Sequence, residues 1–204
     1  MLDSARGLFV SQGFSNTTMA DIAEAADVAV QTLYYTFQTK GKLLIEVTED
    51  AGGAGDPLPV PQRAWFREMM SSQDPQRILA LAIDHGSGIY KRVAGLWPAI
   101  DEAMSDADVA EYWARVTAGR ERGQRIQAEK IADMGALKSG LTADRAGDLI
   151  VLLTGHGPYR SLVLGAGWPM VEYKAWVFKT LVRQLLDTPI DSEAVADLSF
   201  AGEL

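Results

Sequence analysis

Apolar residues in this chain recur three and four positions apart almost from end to end, and nowhere do they alternate long enough to mark a strand. That period lays one stripe along a helix, so the sequence predicts an all-α protein. One stretch interrupts it. "AGGAGDPLPVP" (51–61) sets Gly52, Gly53 and Gly55 beside Pro57, Pro59 and Pro61, and no helix continues through that density. The expected organisation is a head of residues 1–50, a Gly/Pro-rich linker (51–61), a larger helical body (62–189) and a weakly ordered tail (190–204).

Composition removes several function classes. The chain has no cysteine, which excludes disulfides, thiolate metal sites and cysteine nucleophiles and fits a cytoplasmic protein. No uncharged apolar run approaches the roughly 18–20 residues that a membrane span needs, so no membrane partner is expected. The start "MLDSARGLFV" lacks the pattern of a secretory signal. No nucleophile elbow, phosphate loop, zinc-helix pair or dinucleotide fingerprint is present, and "GGAG" (52–55) lacks the Lys-Ser/Thr of a phosphate loop. The expectation is a protein that is not an enzyme and needs no cofactor or metal.

The head reads as short helices. The first, about Asp3–Gln12, places Ala5, Leu8 and Phe9 on one side and stops at Gly13. The second follows Thr18, where Thr18 and Asp21 form an acidic variant of the capping box, and points Ile22, Ala23 and Ala26 inward. A tight turn at Asp27-Val28-Ala29 leads into "VQTLYYTFQTK", and a further helix from about Lys40 carries Leu43, Leu44 and Val47. Two short helices joined by such a turn make a helix-turn-helix, whose second helix enters the DNA major groove. On a wheel, Leu33 and Phe37 fall within about 40° of each other and anchor that second helix. Gln31, Thr32 and Tyr35 then face outward, with Tyr34 on the flank, where it either packs against the core or reaches DNA.

"TTMADIAEAADVAVQTLYYTFQTKGKLL" (17–44) resembles the helix-turn-helix of the tetracycline-repressor (TetR) family of transcriptional regulators. The resemblance rests on Thr18, Ile22-Ala23, Val28, Thr32-Leu33-Tyr34, Phe37, Lys40 and Leu43-Leu44, with Phe9 and Gly13-Phe14 before them. It implies a three-helix head on a larger helical bundle for ligand binding and dimerisation. It also implies double-stranded operator DNA as partner, met by Thr18, Gln31, Thr32, Tyr34, Tyr35 and Lys40, with Thr36 able to reach a phosphate through its hydroxyl. Lys40 is the expected charged phosphate contact. Three departures stand out. Asp27 occupies the usual turn glycine, Ala29 the usual polar cap, and the basic arm that many members carry before the first helix is missing or short. Residues 1–50 hold seven acids (Asp3, Asp21, Glu24, Asp27, Glu46, Glu49, Asp50) against Arg6, Lys40 and Lys42, a net of −4 within a chain of −8. DNA affinity is therefore expected to be modest, resting on backbone amides and a dimer. The alternative is a dimeric helical module whose acidic head acts through protein contacts.

In the body, Asp74-Pro75 opens one helix, Trp97-Pro98 a short one, Asp108–Met134 is long and charged, Thr142 caps a helix holding Arg145 to Leu164, and Trp168-Pro169 opens the last. The apolar arc of that last helix spans about half its circumference, wider than one-sided burial requires, which points to a homodimer. Leu149, Leu153, Val171, Trp176, Phe178, Leu181 and Leu185 are the expected interface. A regulator also needs a small-molecule effector, and bundles hold such ligands between helices. Candidate ligand residues are His85, Trp97, Met104, Tyr112, Trp113, His156 and Tyr159, though the plainer reading of either histidine is a core or interface group with a hydrogen-bonded partner. Arg120, Arg122, Arg125 and Lys130 alternate with Glu121 and Glu129 and read as a solvated face.

Overall fold

The computed structural model describes residues 1–53, 58 and 60–195; residues 54–57 and 59 of the expected linker and 196–204 of the expected tail lie outside the described residues. The described chain is all-α. Its helices are α1 (Leu2–Asn16), α2 (Met19–Ala25), α3 (Val30–Phe37), α4 (Lys40–Gly53), α5 (Ala64–Ser71), α6 (Pro75–Val93), α7 (Trp97–Ala103), α8 (Ala107–Asp133), α9 (Ala143–Leu153), α10 (His156–Tyr159) and α11 (Met170–Leu185). A π-helical segment, Arg160–Gly165, follows α10 directly. The chain forms two compact units. One gathers the described residues of Met1–Pro57 with Lys91–Ala118, and the other those of Leu58–Tyr90 with Gly119–Leu204.

In the first unit α1 packs against α4 and α7, and α2 against α3. Its core is Ala5, Phe9, Ile22, Leu33, Leu43 and Val47 from the head with Ala99, Ile100 and Ala103 from α7. The expected stop at Gly13 is a break within α1, at φ 80°. Two constraints make glycine necessary there: the positive φ, and Glu102, whose Oε1 would sit 2.6 Å from an added Cβ. The Glu102 carboxylate accepts the Ser15 N–H at 2.8 Å. That bond, led by the backbone N–H, holds the Glu102 pKa below its usual value. Arg92 donates to the Ala51 and Gly52 carbonyls at 3.1 and 2.8 Å, satisfying acceptors at the end of α4 that a helix leaves open. So the head packs as one unit with a segment 40 to 90 residues further along the chain.

The second unit keeps most of the expected helix starts. Asp74 caps α6 through the Gln76 N–H at 2.8 Å, and Thr142 caps α9 through the Arg145 N–H at 3.3 Å. One expected element differs. The helix read from Arg145 to Leu164 ends at Leu153, and α10 starts only after Thr154-Gly155. The physical reason is Pro158, which has no N–H to offer the Thr154 carbonyl four residues back. The Tyr90 hydroxyl donates to that carbonyl instead, at 3.1 Å. In α11, Lys174 is buried and pairs with Asp84 at 2.8 Å. The start of the expected tail is tied down: Gln76 donates to the Pro189 carbonyl at 2.7 Å and accepts the Asp191 N–H at 2.9 Å.

Candidate nucleic-acid interface

The site grows out of two short helices and the turn between them. Thr18 and Asp21 form a complete capping box: the Thr18 hydroxyl accepts the Asp21 N–H at 3.1 Å, and the Asp21 carboxylate accepts the Thr18 N–H at 2.9 Å. The same carboxylate accepts the Thr18 hydroxyl proton at 2.7 Å, and this bond is the main reason its pKa lies below the ordinary value. The turn places Asp27 at φ 53°, the left-handed region that glycine usually fills. Ala29 gives α3 no side-chain cap, so the first-turn N–H groups of Val30 and Gln31 stay open toward solvent or a phosphate.

Leu33 is fully buried and Phe37 half-buried, so they fix the rotation of α3 as the wheel predicts. Gln31, Thr32 and Thr36 are exposed, Tyr34 is 51% exposed and Tyr35 91% exposed. Tyr35 is thus a large aromatic held almost clear of the protein. Thr36 spends its hydroxyl proton on the Thr32 carbonyl at 2.8 Å, leaving its oxygen as an acceptor. Beyond α3 the chain reverses through a γ-turn: Gln38 lies at φ 65°, ψ −51°, and the Thr39 N–H bonds the Phe37 carbonyl at 2.7 Å. Nothing in the sequence marks Gln38 for that conformation.

Lys40 departs from its expected role. Its ammonium donates to the Phe14 carbonyl at 2.6 Å and the Thr17 carbonyl at 2.8 Å, and lies 4.2 Å from the Phe14 ring centroid. Two of its three N–H donors therefore close the end of α1, leaving one for any outside group. Lys42 donates to Gln38 Oε1 at 2.7 Å and Arg6 to the Arg92 carbonyl at 3.1 Å. All three cations of residues 1–50 thus make internal hydrogen bonds, and the head offers little uncommitted positive charge.

The seven candidate ligand residues divide between the units. Trp97 and Tyr112 are buried in the first, Trp113 is half-buried beside Tyr112, and Met104 is 41% exposed. Burial, then the Glu49 charge, pushes the Tyr112 phenol above its usual pKa. In the second unit His85 stacks on Trp65 at 4.1 Å, His156 is half-buried at the start of α10, and Tyr159 is buried between Tyr90 and Tyr173. The groove lined by Met70, Gln73, Ile126, Glu129, Lys130, Asp133 and Met134, of about 430 Å³, contains none of the seven. The second unit instead turns Arg120 inward from the expected solvated face. Its guanidinium donates to the Tyr90 hydroxyl, and Gln124, one turn on, donates to the Thr154 hydroxyl. The only sequence signal for this was Gln124 and Gln127 falling on the Arg120 face at helical spacing.

Of the expected interface residues, Phe178, Leu181 and Leu185 are fully buried within the single chain, so they are core and not contact surface. The wide arc of α11 is consumed by its own unit, which also buries Tyr173 and Val177. Val171 is 42% exposed, and Leu149, Leu153 and Trp176 are half-buried. Leu152 and Leu164, at 63% and 51% exposed, are apolar surface that the sequence reading omitted.

Residues 1–47 match the family model "Bacterial regulatory proteins, tetR family". No curated protein sequence matches the chain. Solved structures share the fold over nearly the whole length. NalD, the secondary repressor of the MexAB-OprM multidrug efflux pump in Pseudomonas aeruginosa, is 19% identical with a TM-score of 0.68, covering 91% of this chain and 93% of that one. A regulator from Saccharomonospora viridis in complex with choline is 15% identical, TM-score 0.67, covering 92% and 96%. The Bacillus subtilis regulator FadR in complex with stearoyl-CoA is 16% identical, TM-score 0.66, covering 89% and 95%.

Proposed function

We infer that this chain, whose first 47 residues match the TetR family and whose fold is that of TetR-family transcriptional regulators, is a ligand-responsive repressor that binds operator DNA as a homodimer. The observation that carries the reading is α3. Leu33 pins it, and Gln31, Thr32 and a 91% exposed Tyr35 are presented on its far side. An exposed tyrosine of this kind has no packing role, whereas stacking on sugars, touching thymine methyls or donating to phosphates all suit it. The open N–H groups at the start of α3 add phosphate donors without needing side-chain charge. Thr18, Tyr34, Thr36 and the remaining Lys40 N–H border the same surface and complete the proposed contact set.

A two-fold dimer sets two heads on one DNA face about 34–36 Å apart, or a modest extension of that spacing. Leu152, Leu164, Val171, Leu149, Leu153 and Trp176 are the surface offered for that dimer. The choline and stearoyl-CoA complexes of structurally similar regulators support a small-molecule effector, and release of DNA requires that the effector favour one arrangement of the heads over the other. The test is a nuclease footprint on DNA flanking the chain's own coding region. The reading expects two protected half-sites related by two-fold symmetry, and an absence of protection at low salt by an intact dimer defeats it. A second reading has one specific observation in its favour: with net charge −4 and all three cations engaged, the head also suits a basic protein partner.

A further inference from the structure

The second unit holds a polar cluster that its own residues do not satisfy. Arg120 Nε, Gln124 Oε1 and Gln127 Oε1 are buried without a hydrogen-bond partner, and the two glutamines are each only 7% exposed. The Arg120 guanidinium meets no carboxylate among the described residues; its side-chain contact is Tyr90, through the hydroxyl and the ring face. Buried polar groups are almost always paired, so three orphans on one helix face call for an explanation. The orientation of Gln124 is fixed by its neighbours. The Thr154 hydroxyl gives its proton to the Ile150 carbonyl at 2.7 Å, so its oxygen must accept from the Gln124 amide nitrogen. Gln124 Oε1 is therefore an acceptor waiting for a donor. Around it stand the Tyr90 and Tyr159 rings, 5.5 Å apart, and the irregular junction at Thr154-Gly155 that leads to a π-helical turn, a distortion frequent at functional sites.

From these observations we propose that Arg120, Gln124 and Gln127 of α8, with Tyr90 and Tyr159, form the recognition site for a small hydroxylated carboxylic acid. The carboxylate pairs with the guanidinium of Arg120, and a hydroxyl donates to Gln124 Oε1. Four residues of helix separate these groups by about 6 Å, which sets the distance between the acid and hydroxyl ends and suits a single aromatic ring lying beside the Tyr90–Tyr159 pair. The site deepens the effector reading and rests on it: it names where the effector sits and which chemical class it belongs to.

The experiment uses the full chain and three probes, 4-hydroxybenzoate, benzoate and 4-hydroxybenzamide, read by calorimetric titration and thermal shift. 4-Hydroxybenzoate binds. Replacing the acid by the amide weakens binding about tenfold or more, since a charge-assisted contact is lost, and removing the hydroxyl weakens it severalfold. Arg120→Met abolishes the preference for acid over amide while melting no lower than the unchanged chain, because it removes a charge that has no carboxylate counterpart and leaves the Tyr90–Thr154 bond intact. Gln124→Leu removes the discrimination between 4-hydroxybenzoate and benzoate and guards against a folding defect in the first variant. The proposal is overturned if no carboxylate binds, if acid and amide bind alike, if Arg120→Met binds as before, or if that variant melts lower, which marks a purely structural arginine. Footprinting runs in parallel. Lost carboxylate binding with intact operator protection sinks this site alone, and the reverse pattern sinks the regulator reading alone.

Discussion

Replacing Lys40 with methionine separates the two roles that this residue can have. The ammonium donates to the Phe14 and Thr17 carbonyls at 2.6 and 2.8 Å, and Thr17 is fully buried, so its carbonyl has no water to fall back on. A hydrogen bond to a charged group contributes about 1.5–3 kcal/mol. Lys40 is half-buried, which retains part of the ammonium's hydration and puts each bond near the low end of that range. Methionine keeps the apolar stem on the Phe14 ring and offsets part of the lost cation–π contact with a sulfur–aromatic one. The net loss is about 2–3 kcal/mol. At about 2–4 °C per kcal/mol for a chain of this size, the melting temperature falls by about 4–12 °C. Urea unfolding followed by circular dichroism measures it. A variant within about 0.5 kcal/mol of the parent that has nonetheless lost DNA affinity would refute this account of Lys40 and return it to the role of a plain phosphate contact.

Tyr35→Ala is expected to lower promoter affinity about tenfold while leaving the melting temperature within about 1 °C, because a side chain 91% exposed carries almost no packing; a loss of folding instead would show that its face is wrong. Gly13→Ala should destabilise the first unit by about 2 kcal/mol or more, since φ 80° and the Glu102 carboxylate 2.6 Å from the new Cβ both oppose it; a neutral effect in thermal melts contradicts the geometry. Asp21 and Glu102 both have depressed folded pKa values, led by the Thr18 and Ser15 hydrogen bonds. The stability they give is therefore full above the unfolded carboxylate pKa near 4 and is lost as pH falls through the lower folded value. Asp21→Asn should flatten its share of that acid-side loss, seen as a shallower dependence of the melting temperature on pH below about 4.

What was legible in the sequence is what neighbours in sequence determine. Thr18 and Asp21 lie three residues apart, Leu33 and Phe37 four apart, and Asp74-Pro75 and Thr142 announce helix starts by their own chemistry, so each was readable without knowing the fold. The roles of Lys40, Glu102 and Arg92 were not, because each acts on backbone 23 to 87 residues away. A lysine at the start of α4 looks the same in sequence whether it points at a phosphate or at the Thr17 carbonyl. Arg120 escaped for a related reason: alternation with glutamates suggested a solvated face, and only the position of Tyr90 shows that the guanidinium turns inward. The breadth of the α11 arc misled in the opposite direction. Phe178, Leu181 and Leu185 satisfy a wide core rather than a partner, since one helix can be enclosed on several sides by its own unit.

The central claim is that α3 reads DNA despite an acidic head, and binding to promoter DNA across a salt series tests it most directly. With the single remaining Lys40 N–H as the cationic contact of each head, a dimer neutralises about two phosphates, and log K should fall against log salt with a slope of about −2. Specific binding with that shallow slope supports the account. No specific binding at about 50 mM salt by an intact dimer contradicts it, and assigns the acidic head to a protein partner.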